Sequence, residues 1–196
     1  FDSYVDLEYN STSYQGSDSL YLSDVSEEIK RSYLNFSLSI IPDIANLVDS
    51  NLNLTINAAA FGERVSIFMV NSTFNKTNLT YLTQPNISSV LYNLSSGNND
   101  AIDSFNVSNT VKSWFNGSEL NYGFSIRMQN ESVDSNVIRY YSSDSSNNNN
   151  WPHLYVTYNS NIANRSVAVG NSLTSIFDLD DYFYDSDGSA LAYNVS

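Results

Sequence analysis

Residues 106–126 read NVSNTVKSWFNGSELNYGFSI, and how they fold decides what the rest of the chain must be. Val107, Val111, Trp114 and Phe115 recur at helical spacing, which gathers side chains on one face of an α-helix. Ser108 is the expected N-cap and Gly117 the expected stop. The following NYGFSIRMQ, residues 121–129, returns to a period of two. A short helix set between strands, with a tryptophan on its apolar face, predicts a plug in a β-sandwich. Trp114 is then core rather than a platform for a ligand.

The strands on either side follow from alternation. Residues 1–9 (FDSYVDLEY) and the LYLS at 20–23 open the series, separated by turn residues. SYLNFSLSII, residues 32–41, places Leu34, Phe36, Leu38 and Ile40 on one face and Tyr33, Asn35, Ser37 and Ser39 on the other. It reads as a half-wet strand ended by Pro42. LNLTINA (52–58), RVSIFMV (64–70), NVIRYYSS (136–143) and HLYVTYNS (153–160) repeat the pattern. Short strands at even spacing, without helices between them, predict an all-β jelly-roll sandwich with one short helix. DSSNNNN, residues 144–150, has no apolar residue and is expected as a mobile loop.

Composition excludes several functions. The chain of 196 residues is 41% hydrophobic, with 21 acids against 8 bases and a net charge of −13. No basic stripe exists for nucleic acid or an anionic membrane surface. The acidity fits either solubility or divalent-cation binding. Without cysteine, disulfides and thiolate metal sites are absent. The single His153 enters an alternating run and reads as a strand residue, not a general base. The paired carboxylates of SEEIK and DLDDY read as solvated turns rather than a catalytic pair. No apolar stretch is long enough to span a membrane. The start at Phe1 is expected of a processed chain or an excised segment.

Asn-X-Ser/Thr triplets begin at Asn10, Asn35, Asn53, Asn71, Asn75, Asn78, Asn86, Asn93, Asn106, Asn116, Asn130, Asn164 and Asn194. Composition alone gives about six. Part of the excess reflects Asn and Ser richness, and the remainder points to covalent N-glycans on an extracellular protein.

In order along the chain, several motifs resemble the DNRLRE-domain family, jelly-roll modules of prokaryotic surface proteins classed among carbohydrate-binding modules. They are DSYV with SYQGSDSLYL, KRSYLNFSLSIIP, SNLNLTI, NTVKSWFNGSELNYGFSIR, and IRYYSSD with WPHLYVTY. The likeness covers about residues 3–158. Ser108 stands where the family has threonine, and Tyr81 and Pro85 stand in a region where the family carries a tryptophan. The resemblance implies a carbohydrate-binding module, for which Trp151, Tyr140 and Tyr141, with Tyr9 and Tyr14, are the glycan-binding candidates. Alternation allows only one of Tyr140 and Tyr141 to face solvent.

Residues 1–159 thus read as one jelly roll and 160–196 as a partial segment. The latter resembles the first strands of Ig-like or cadherin-like repeats through DLDDYFYDSDGSALAYNVS. In such repeats Asp185 and Asp187, before the turn at Gly188, would help hold Ca²⁺. Ser189 stands where an acid is usual, so a plain β-turn competes with that reading. The segment is either cut within a second domain or donates strands to a neighbour. No cofactor is required. The expected function is a non-catalytic, glycosylated structural or adhesive protein of the cell surface, in an envelope layer, sheath or filament. It would self-associate or contact neighbouring surface proteins, with an archaeal source and polysaccharide binding as the alternative role.

Overall fold

In the computed structural model, residues 1–43, 45–59, 62–131 and 136–160 are described. Ten strands carry them: β1 (Asp2–Asp6), β2 (Ser19–Ser23), β3 (Lys30–Leu34), β4 (Ala45–Ala58), β5 (Arg64–Val70), β6 (Ile87–Ser95), β7 (Ile102–Asn106), β8 (Phe124–Met128), β9 (Val137–Tyr141) and β10 (His153–Ser160). One helix, α1 (Ser108–Phe115), lies between β7 and β8. Every strand pair is antiparallel, in the order β10-β4-β9-β2-β3-β8-β5-β6, with β1 beside β3 and β7 beside β4. β2 and β3 share only the pair Ser23 and Lys30. The two layers join along β4, whose earlier residues pair with β10 and β7 and whose end, at Ile56 and Ala58, pairs with β9 in the other sheet, giving the curled sheet that the jelly-roll reading expects.

Between the layers lies the main core. Leu52, Leu54 and Ile56 of β4 meet Val65 and Ile67 of β5, Phe124 and Ile126 of β8, and Phe105 of β7. α1 adds Val111 and Trp114, the latter 6% exposed with its ring 4.7 Å from that of Phe124. Gly117 takes φ +74° and its N–H bonds the Trp114 carbonyl, so the helix stops where the sequence places the stop.

Two sequence expectations change. Ser108 is the first helical residue rather than the cap: Val107 holds the cap position without a side-chain bond. The Ser108 hydroxyl is used elsewhere, donating to Asp49 at 2.7 Å and accepting from the Ser50 N–H at 2.8 Å. The strand expected over 32–41 ends at Leu34. Its neighbours end there too, β1 pairing Asp2 with Leu34 and β8 pairing Phe124 with Leu34. Phe36 and Leu38 still pack on the core, but from a loop. At this corner Gly123 has φ +93°, and a Cβ on it would stand 2.1 Å from the Leu34 carbonyl oxygen.

A second, smaller core lies on the outside of the β1-β3-β8-β5 layer. Val5, Tyr33 and Val70 are covered there by Leu79, Phe74 and Tyr81 from the long β5–β6 connection. Arg31 lies over the Tyr81 ring, pairs with Glu131 and donates to Gln84. One outer face of the sandwich is therefore roofed. The Tyr81 and Pro85 noted in the sequence belong to that roof, with Pro85 buried.

Candidate functional site

The opposite outer face, on β10, β4 and β7, is built by register. β4 is paired on both sides over Asn51–Asn53, with Leu52 inward between Leu154 and Phe105. The alternate positions must then face outward. His153, Asn53 and Ser104 form one row across the three strands, and Tyr155, Asn51 and Asn106 form the next.

Along β10 the outward side chains are aromatic. Trp151 just before the strand, His153 and Tyr155 follow at a period of two, and all three are exposed, Trp151 at 38% and Tyr155 at 57%. The His153 and Tyr155 rings lie 5.7 Å apart at 23°, nearly parallel. The Trp151 indole is fixed by its Nε1–H, which donates to the Ser145 carbonyl at 2.8 Å. That bond gives the Asn-rich loop a function: it orients the ring that follows it. A strand rise of about 3.3 Å per residue spreads the three rings over roughly 13 Å.

Beside the rings lies a polar strip held by Asp49. Its carboxylate accepts from the Ser108 hydroxyl at 2.7 Å, Asn51 Nδ2 at 2.6 Å and Asn106 Nδ2 at 3.3 Å. These bonds, that from Ser108 foremost, hold the Asp49 carboxyl below its ordinary value. Ser104 Oγ donates to Asn53 Oδ1 at 2.7 Å. The amides are thus oriented before any ligand arrives, by bonds running to the first residue of α1. Oriented amides beside flat rings suit a ligand with C–H faces and hydroxyl edges.

The sequence candidates fall in different places. Trp151 belongs to this face. Tyr140 does not reach any surface: it is fully buried, and its hydroxyl donates to Asp103 Oδ2 at 2.6 Å inside the core. Inward alternation of β9 removes it from the glycan-binding candidates, and burial, with Asp103 adding to it, pushes its hydroxyl well above the ordinary value. Tyr141 faces out from β9, half-buried opposite Ser19. Tyr9 is exposed, whereas Tyr14 stacks on Tyr4 at 4.3 Å. His153 is a strand residue as expected, but its ring is exposed. Tyr155 and the exposed ring of His153 were missed as site residues, although Trp151, His153 and Tyr155 alternate in the sequence with Pro152, Leu154 and Val156.

Among the described residues no cluster of three or more His, Asp or Glu is placed to hold a metal ion, and no helix is long and apolar enough to cross a membrane. Asp185, Asp187, Asn164 and Asn194 lie outside the described residues. Of the other triplet asparagines, Asn35 and Asn53 are half-buried, while Asn10, Asn71, Asn75, Asn78, Asn86, Asn93, Asn106, Asn116 and Asn130 are exposed.

Compared with known families, residues 1–158 match the family model of carbohydrate-binding module family 96. No curated protein matches the chain.

Proposed function

The chain belongs to carbohydrate-binding module family 96, and from that premise we propose that it binds polysaccharide on the open face of β10, β4 and β7. The observation that carries this reading is the row Trp151, His153 and Tyr155, exposed on one strand beside the oriented amides of Asn51, Asn53 and Asn106. The other outer face is roofed by the β5–β6 connection, whereas on this one Trp151, His153 and Tyr155 are exposed. An open face roughly 13 Å long, rather than a closed pocket, suits the length of a polymer more than a chain end or a monosaccharide. In this reading binding is non-catalytic, as the family's name implies. Asp49, the carboxylate on the face among the described residues, is committed to hydrogen bonds with Ser108, Asn51 and Asn106.

Native affinity electrophoresis through gels containing soluble polysaccharides tests this. The wild-type chain is expected to be retarded by at least one polymer, and a Trp151→Ala/Tyr155→Ala variant to run freely. Leu82→Ala, at a 70% exposed position on the roofed side, is expected to be retarded like wild type. Retardation unchanged in the double variant would move the site elsewhere.

A second reading, a glycosylated building block of the cell exterior, is supported by the many triplet asparagines at exposed positions. Within it belong the DNRLRE-like motif order, extracellular location, self-association and an archaeal source. The same holds for a Ca²⁺-assisted repeat or donated strands beginning near residue 160. Glycopeptide mass spectrometry of the native protein tests it, and bare asparagines throughout would overturn it.

A further inference from the structure

The two readings meet at one residue. Asn53, with Thr55 two positions on, is a glycosylation triplet on the central strand of the proposed binding face. We propose that an N-glycan on Asn53 closes this face, so that the chain made with that glycan does not bind polysaccharide and the chain made without it does. This rests on the face being the binding surface.

The geometry is direct. Asn53 stands opposite His153 on one side and Ser104 on the other, and Tyr155 is its diagonal neighbour. Directly opposed residues in a sheet have their Cβ atoms about 5 Å apart, and diagonal ones roughly 7–8 Å. A sugar rooted at Asn53 therefore projects from the middle of the rings a ligand would stack on. The folded sheet also tolerates a substituent on the Asn53 amide nitrogen. Asn53 Oδ1 accepts from Ser104, while Nδ2 makes no hydrogen bond among the described residues. Asn106, the other triplet asparagine on this face, differs. Its Nδ2 donates to Asp49 and its Oδ1 accepts from the Ser108 N–H at 3.1 Å, so modification there would disturb the start of α1.

The transfer uses a lipid-linked oligosaccharide as donor. Asn53 Nδ2 forms a bond to the anomeric carbon, the bond from that carbon to the lipid phosphate or pyrophosphate breaks, and Nδ2 loses one proton. The lipid carrier leaves with the electron pair. In the folded sheet the backbone around Asn53 is paired on both sides. Transfer must therefore precede closure of β4 between β10 and β7, which makes the choice at synthesis and not reversibly afterwards.

The test compares wild type, Thr55→Val and Thr55→Ser, each produced in a host that performs N-glycosylation and in one that does not. Valine keeps the shape of threonine but removes the triplet, and serine keeps the triplet. The probe is the polysaccharide that retards the unmodified wild-type chain. All three chains from the non-glycosylating host are expected to bind alike. From the glycosylating host, wild type and Thr55→Ser should carry a glycan at Asn53 and bind at least tenfold more weakly, while Thr55→Val binds as the unmodified chain does. Undiminished binding by chain shown by mass to carry the Asn53 glycan would overturn the proposal. So would an Asn53 left bare while Asn71 is glycosylated in the same molecules. If the unmodified chain binds no polysaccharide, the binding-face reading itself falls, and this inference with it.

Discussion

Replacing Trp114 by alanine tests whether α1 is a plug in the sandwich. The ring is 6% exposed, lies against Phe124 and belongs to the cluster that joins β4, β5 and β8. Truncating a buried tryptophan costs about 3–5 kcal/mol, because the surrounding side chains collapse only partly into the space. For a domain of this size each kcal/mol lowers Tm by about 2–4 °C. The variant should therefore melt roughly 10–15 °C below wild type in a calorimetric scan. Trp114→Phe separates packing from hydrogen bonding. The indole Nε1 is buried without a partner among the described residues, so phenylalanine forfeits volume but no bond, and a loss of about 1–2 kcal/mol is expected. Fluorescence gives a second readout, since the chain has only two tryptophans. Trp114→Ala should remove the blue component and leave the red-shifted emission of Trp151. A fall in Tm below about 3 °C for the alanine variant, with the blue component retained, would refute the plug.

Three further outcomes are expected. Tyr155→Ala should weaken polysaccharide binding about tenfold: at 57% exposure roughly 60 Å² of ring is available for stacking, worth about 1.5 kcal/mol at 25 cal/mol per Å², and isothermal titration measures it. Gly123→Ala should cost about 3 kcal/mol or more in a denaturant titration, since a left-handed φ and the Leu34 carbonyl both exclude a Cβ there. For Tyr140 the folded-state pKa lies well above the ordinary 10.0. Its contribution is present in full below pH 10 and is lost as pH rises beyond it, because the unfolded chain gives up the proton first. Stability should fall with pH above 10, and Tyr140→Phe should make that fall shallower by roughly 1.4 kcal/mol per pH unit. An unchanged slope would count against Tyr140.

The fold was largely legible where one face of an element is buried. LNLTINA, RVSIFMV and HLYVTYNS show their alternation because Leu52, Leu54, Val65, Ile67, Leu154 and Val156 all point inward. The segment at 32–41 shows how the same signal misleads. Its apolar residues keep the period of two through Phe36 and Leu38, but pairing partners end at Leu34, which no local pattern records. β6 escaped notice for the opposite reason: as a sheet edge it exposes Val90, Leu91 and Tyr92 in succession, so no alternation survives. At the candidate site, Trp151 stood out as an aromatic beside a polar loop. Tyr155 did not, because its exposure depends on which face of β10 the core covers, with Leu154 and Val156 packed inward. Tyr140 and Tyr141 could be told apart in principle but not assigned, since alternation gives opposite faces without saying which is wet. The roof over the other layer, formed by Phe74, Leu79 and Tyr81, is tertiary and leaves no periodic trace.

The most direct test of the binding face is a titration of ¹⁵N-labelled protein with an oligosaccharide fragment of whichever polysaccharide retards it, following amide shifts. Perturbations confined to Asn51–Asn53, Ser104–Asn106 and Trp151–Tyr155, with the indole N–H of Trp151 among the largest, are expected if polysaccharide binds there. Shifts concentrated around Arg31, Tyr81 and Arg127 on the roofed side, with the β10 face silent, would contradict that reading.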